Sequence, residues 1–253
     1  MRWERDAPTV ILSPHLDDAA LSTWNVLTSP GDVVVLTVCS GVPKPGTLGS
    51  FDPLFGVDDS AQLMELRLAE DAVALAAAGR TSLPLGFLDH QYREEPLPVV
   101  DVAAAIRESV ERGTRLIAPA AIGLHPDHVA VRAAAFELAR QGVPLSLYAD
   151  LPYAARMGWP HWVTGVRPRP YLVPEAFWRD ALDSMQIPHD RLAPRPVRLT
   201  DSGMKRKLSA LEAYRSQFEA LNQGPVAFLS NPEILRFELY WDVESEAPSI
   251  SST

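Results

Sequence analysis

Between Thr9 and Ala149 five short apolar runs alternate with stretches of helical period, and that alternation narrows the fold more than any other feature. Thr9–Ser13, Val33–Cys39, Leu85–Leu88, Arg115–Pro119 and Pro144–Ala149 read as strands. Asp17–Leu27, Ala61–Ala78, Val99–Arg112 and Pro126–Arg140 read as the helices between them. Val33–Cys39 is apolar on both faces, as a central parallel strand must be. The pattern predicts an α/β fold: a Rossmann-like, mostly parallel sheet with helices on both faces. In the long helix, Leu63, Leu66, Val73 and Leu75 are expected to face inward, and Gly79 marks the stop.

Two polar segments interrupt this pattern where a strand hands over to a helix. The first is Ser13-Pro14-His15-Leu16-Asp17-Asp18, after Thr9-Val10-Ile11-Leu12. The second is His125-Pro126-Asp127-His128, after Leu116-Ile117-Ala118-Pro119. Ligands of open α/β sheets collect at the carboxyl ends of strands. Helix capping would occupy one carboxylate, but Asp17 and Asp18 point about 100° apart on a helix and can take different roles. His125 and His128 are three apart and can face the same way. Two histidines and a carboxylate around an open position form a catalytic metal pattern. Taken singly, each histidine reads as a core residue and each aspartate as a cap; the joint pattern favours a metal.

This pair of segments resembles the metal site of the PIG-L/LmbE-like N-deacetylases. Arg67 with Glu70, Asp150-Leu151-Pro152-Tyr153 and Tyr214-Arg215-Ser216-Gln217 fall in the order of one branch of that family. The chain departs from the family at Leu16, where a proline is usual, and at Ala19, where a glutamate is usual. The resemblance implies His15, Asp18 and His128 as metal ligands and Asp17 as general base. It also implies an N-acyl, usually N-acetyl, amino sugar or glycoconjugate as substrate, in specialised bacterial metabolism. His125 is expected to stabilise the carbonyl oxygen as it gains charge. Asp127 is expected to hold the His125 imidazole and favour its protonated form. Zinc suits hydrolysis because it has no redox chemistry; iron(II) also suits two histidines and one carboxylate.

Other residues carry weaker signals. Asp89 and His90 follow a strand and are candidates for the cleft wall, with a surface turn as the alternative. Tyr153, Trp159 and Trp162 are candidates to stack on a sugar ring, with core packing as the alternative. Arg67 and Glu70 read as a solvated helix pair. Cys39 reads as a small buried apolar residue. His90, His161 and His189 receive no catalytic role. Gly41–Ser60 has no clear period and leaves a strand beside the first polar segment, which suggests a lid.

The chain has 253 residues and a formal net charge of −9. Its first 150 residues hold 11 Lys/Arg against 20 Asp/Glu, which argues against a nucleic-acid partner. A single cysteine excludes an intrachain disulfide and suits a reducing compartment. The expected location is cytoplasmic, with no signal segment at the start and no membrane span. Residues 1–243 are read as a single domain, in which the part after Asp150 completes the cleft. Pro174–Met185 and Asp201–Leu221 read as helices there, the latter capped by Asp201 or Ser202, and Leu235–Trp241 as a strand. Residues 244–253 read as a flexible tail. The reading leaves room for a homo-oligomer.

Two further function classes fit parts of the pattern. A non-haem iron oxygenase would use His15, Asp17 and a distant histidine as a facial triad, but that chemistry usually sits on an all-β barrel. A non-catalytic carbohydrate-binding protein that kept the metal would have no use for the second carboxylate, Asp17.

Overall fold

The computed structural model describes residues 7–168, 170, 172–183, 192–218, 222, 229 and 231–243. Five strands run parallel: β1 (Thr9–Ser13), β2 (Val33–Thr37), β3 (Ser82–Pro84), β4 (Arg115–Pro119) and β5 (Leu145–Tyr148). Two more, β6 (Leu192–Arg198) and β7 (Phe237–Val243), extend the sheet antiparallel. The spatial order is β3-β2-β1-β4-β5-β7-β6. The chain therefore runs outward from β1 to β3, then crosses back to place β4 on the other side of β1. That reversal opens a crevice beyond the carboxyl ends of β1 and β4. Both polar segments emerge there.

The strand cores follow from their sequences. Ile11, Leu12, Val35, Leu36, Leu116 and Ile117 are fully buried, as a sheet covered on both faces requires. Helices α1 (Asp18–Ser22), α2 (Trp24–Leu27), α3 (Ser60–Ala76), α4 (Val99–Ser109) and α5 (Pro126–Arg140) fill the crossovers. None of the described helices is long and apolar enough to cross a membrane.

Several boundaries differ from expectation for identifiable reasons. The expected helix over 17–27 breaks at Thr23, whose hydroxyl donates to the Ala19 carbonyl at 2.7 Å. The Glu238 carboxylate, reaching across from β7, accepts from the Trp24 and Asn25 backbone N–H groups at 2.8 and 2.9 Å. A remote side chain thus caps a new helix start. The β3 strand proper is Ser82–Pro84, ahead of the expected Leu85–Leu88. The latter still follows β2 onward, with Leu85 N donating to Thr37 O and Phe87 N to Val38 O.

In α3 the inward stripe is Leu63, Met64, Arg67, Glu70, Asp71, Ala74 and Leu75, all buried. Leu66 and Val73, expected inside, are 49% and 64% exposed. Arg67 and Glu70 are therefore buried rather than solvated. Glu70 accepts from the Ser216 backbone N–H and hydroxyl at 2.9 and 2.6 Å.

Beyond Asp150, helix α6 spans His161–Thr164 and α7 spans Pro174–Asp183. Helix α8 (Asp201–Leu211) stops ten residues short of the expected end, and its cap is Thr200, which accepts from Gly203 N at 3.1 Å. A short α9 (Pro232–Leu235) precedes β7. Strand β6 was not expected, because Pro194 and Pro196 interrupt it; as the sheet's edge it tolerates their missing donors. The expected tail at 244–253 and His189 lie outside the described residues.

Candidate metal centre

The first polar segment leaves β1 through Ser13, whose hydroxyl donates to His15 O at 2.7 Å and accepts from Ala19 N at 3.1 Å. This clamp sets the turn that buries His15, Asp17 and Asp18 together. The second leaves β4 through a strained loop, with Ala121 and Leu124 both at φ 57°. Non-glycine residues in this region mark an over-determined, often functional, backbone. Gly123 passes so close to Tyr153 that a Cβ there would lie 2.5 Å from that side chain. His125 is the N-cap of α5, with Pro126 at its first turn.

Three atoms that could bind a metal form a nearly equilateral triangle. His15 Nδ1 lies 3.4 Å from Asp18 Oδ2, His128 Nε2 lies 3.3 Å from the same oxygen, and the two nitrogens are 3.3 Å apart. Zinc bonds to histidine and carboxylate are about 2.0–2.2 Å, so tetrahedral ligands sit about 3.3–3.5 Å from one another. The donor set and its spacing fit a divalent ion with one position open.

The outer nitrogens of both histidines meet carboxylates. His128 Nδ1 is 3.0 Å from Asp150 Oδ2. His15 Nε2 is 3.1 Å from Asp127 Oδ2 and 3.6 Å from Asp89 Oδ2. Such partners fix which ring nitrogen faces an ion. Burial lowers the His128 pKa, but Asp18 and Asp150 outweigh it and push it up to about 9. Asp18 is held well below the usual carboxylate range: burial opposes ionisation, but His128 and His15 prevail.

Asp17 is buried next to the triangle without being part of it. It occupies the N-cap position of α1, yet its side chain accepts no capping hydrogen bond. Burial, with Asp18 beside it, raises its pKa to about 6, against the opposing charges of Arg67, His15 and His128.

His125 differs from expectation. Its Nδ1 accepts from the Asp127 backbone N–H at 3.3 Å, which leaves Nε2 to carry the proton of a neutral ring. Burial and the neighbouring His15 and His128 lower its pKa to about 3. The Asp127 carboxylate, expected to hold His125 and favour its cation, does favour the cation but is outweighed, and its own hydrogen bonds go to His15, the His90 backbone N–H at 3.0 Å and Arg93.

The remaining candidates separate. Tyr153 lies in the site, its ring 5.0 Å from that of His128 and 5.5 Å from that of His125. Trp159 is buried in the core, where Nε1 donates to Ile234 O at 2.9 Å, so it offers no face for stacking. Trp162 is 45% exposed and packs edge-on against Trp178. Asp89 is buried beside His15 and caps a short helical turn over His90–Tyr92. Cys39 is buried, and its thiol is pushed up by burial and by Asp127. The 41–60 loop is tied to this turn: Tyr92 donates to Asp52 Oδ2 at 2.8 Å, and Phe51 N to Gln91 Oε1 at 3.3 Å.

Sequence reasoning missed Asp150 and the part played by Arg67. Asp150 lies two residues past the end of β5, as His15 lies two past the end of β1, and that placement was the available signal. Arg67 is only 8% exposed, and its Nε has no hydrogen-bond partner among the described residues.

No protein-family model matches the chain. It is 31% identical over 173 residues to the 2'-N-acetylparomamine deacetylase of Streptomyces fradiae, a match spanning 60% of each chain. Among solved structures it resembles the A40926 pseudoaglycone deacetylase Dbv21, with 29% identity and a TM-score of 0.69 over 96% of this chain and 99% of that one. It also resembles the zinc-inhibited form of the teicoplanin deacetylase Orf2, with 26% identity and a TM-score of 0.72 over 96% of this chain and all of the other. These relatives are deacetylases.

Proposed function

We propose that the chain is a zinc-dependent N-deacetylase of the PIG-L/LmbE type. Its substrate on this reading is an N-acetylated amino sugar carried on a larger small molecule. The observation that carries the reading is the His15–Asp18–His128 triangle with Asp17 beside it, buried and uncommitted to capping. The relatives, acting on an acetylated paromamine, a pseudoaglycone and teicoplanin, support the substrate class.

His15, Asp18 and His128 would hold the ion, which when bound supplies Lewis acidity and brings a water's pKa toward about 7. Asp17, with a pKa near that of a useful base, takes the proton as water oxygen attacks the amide carbon. His125 donates its Nε2–H to the carbonyl oxygen as that oxygen becomes an anion. The Asp127 backbone N–H on Nδ1 keeps the proton of the neutral ring on Nε2, where this bond needs it. The C–N bond then breaks, and Asp17 returns its proton to the departing amine. Acetate and the free amino sugar leave. Asp150 and Asp127 position the two histidines, and Tyr153 walls the open side.

Amine release across N-acetylated amino sugars and their glycoconjugates tests the reading, with metal-stripped protein as control. Release that needs zinc is the expected result. No release from any N-acetylated sugar by the zinc-loaded protein would overturn it.

A further inference from the structure

Helix α3 is polar inside and apolar outside. Its buried face carries Arg67, Glu70 and Asp71. Its exposed residues from Leu66 onward are Leu66, Ala69, Ala72, Val73, Ala76 and Ala77, none of them polar, with Leu66 49% and Val73 64% exposed. A surface helix ordinarily turns charged residues to water. The spacing of this face is that of a helix seam. Gln62, Leu66, Ala69, Val73 and Ala76 follow one another at intervals of four, three, four and three residues. That alternation keeps one line of side chains turned toward a second helix.

We propose that this face pairs with the same face of a second copy of the chain, the two helices running antiparallel about a two-fold axis at the level of residue 71. A two-fold interface must be self-complementary, and the order of side-chain sizes along the seam meets that condition. Leu66 then packs on the partner's Ala76 and Val73 on the partner's Ala69, so each layer joins one large and one small side chain. The alanines let the helix axes approach to about 8 Å, the near end of the packing range. A parallel pair would set Leu66 on Leu66 and alanine on alanine, crowding one layer and leaving a gap in the next.

Charge favours the same arrangement. Glu65 is exposed at the start of the seam, and Arg80 follows its end. The Arg80 guanidinium is held by the carbonyls of Leu27, Ser29 and Gly31, neutral groups that leave its charge in place. The antiparallel register brings Glu65 beside the turn that leads to the partner's Arg80, once at each end of the pair. A parallel pair sets like charge against like. The 17 residues of α3 span about 25 Å. A single helix pair of that length covers less than the roughly 1,200 Å² of a lasting interface, so the dimer forms only as concentration rises. The pairing does not depend on the hydrolysis proposed above.

Sedimentation velocity of the full chain from about 1 to 200 µM, the range in which a weak interface shows itself, tests the pairing. The 27.8 kDa chain should pass from monomer to dimer across that range. Val73→Glu changes a residue that is exposed in the single chain, so its unfolding midpoint should match the parent's. Its dissociation constant should rise at least about tenfold, because the dimer would bury a carboxylate without a partner. Oxidation of cysteine variants reads the register, and the native Cys39 is buried and stays silent. Ala72→Cys lies about 3 Å along the helix from its own copy and should cross-link the dimer. Gln62→Cys lies about 27 Å from its copy in the antiparallel pair and should not, whereas a parallel pair would join it. A parent that stays monomeric throughout overturns the proposal and leaves the seam to a different chain. A dimer that Val73→Glu leaves unchanged overturns it as well. Failure of Ala72→Cys to cross-link, or cross-linking through Gln62→Cys, overturns the antiparallel register.

Discussion

His128 Nδ1 and Asp150 Oδ2 meet at 3.0 Å with both side chains fully out of solvent, and this pair orients the only triangle ligand that comes from β4's side of the crevice. The other Asp150 oxygen accepts from Ile122 N at 3.1 Å, which pins the strained loop leading to His125. One carboxylate therefore fixes both ends of the second polar segment. Asp150→Asn keeps the bond to Ile122 and loses the charge behind His128. Its zinc affinity should fall about 10–100-fold, measured by competition with a chelator. Affinity equal to the parent's would show that His128 needs no such support.

The buried Glu238 accepts from Trp24 N, Asn25 N, Lys207 Nζ and the Tyr240 hydroxyl. Lys207 is equally buried, so removing either charge leaves the other uncompensated. Lys207→Met should lower unfolding free energy by about 3–5 kcal/mol, read from denaturant midpoints. A loss within experimental error would mean the pair is replaceable by packing alone.

Asp71 gives the stability a pH dependence of definite sign. Burial raises its pKa from 3.8 to about 7, although the Tyr214 hydroxyl, donating at 2.7 Å, favours the ionised form. The folded chain thus holds a proton that the unfolded chain releases, and stability falls as pH rises from about 4 toward 7. The whole effect is on the order of 4 kcal/mol at most. Asp71→Asn should remove that slope. Urea midpoints of the metal-free proteins at pH 5 and pH 8 check it: the parent should lose more stability than the variant. Equal losses would mean Asp71 ionises normally.

How much of this was legible in the sequence depended on whether the determinant was local. His15, Asp17, Asp18, His125 and His128 were legible because each lies within a few residues of a strand end, where an apolar run and a helix start are both visible. The parallel sheet was legible for the same reason. Strand β6 was not, because its prolines suppress the signal and only its edge position permits them. The inward face of α3 was misread because Arg67, Glu70 and Asp71 replace apolar residues on it: the helix turns a polar face to the site and to Ser216 and Tyr214, partners about 145 residues away. The break at Thr23 depends on Glu238, more than 200 residues on. Asp127 could be placed beside the site but not on His15, since that contact exists only once β1 and β4 are neighbours.

The central claim is that two adjacent aspartates do different work: Asp18 holds the ion and Asp17 takes the proton. Asp17→Asn and Asp18→Asn, compared for zinc content and for kcat on one N-acetylated substrate, test it most directly. General-base assistance is typically worth about 10²–10⁴-fold. Asp17→Asn should retain one tightly bound zinc, keep KM nearly unchanged and lose about that much kcat, while Asp18→Asn should lose the zinc itself. An Asp17→Asn variant that keeps its zinc and turns over nearly as fast as the parent would contradict the account.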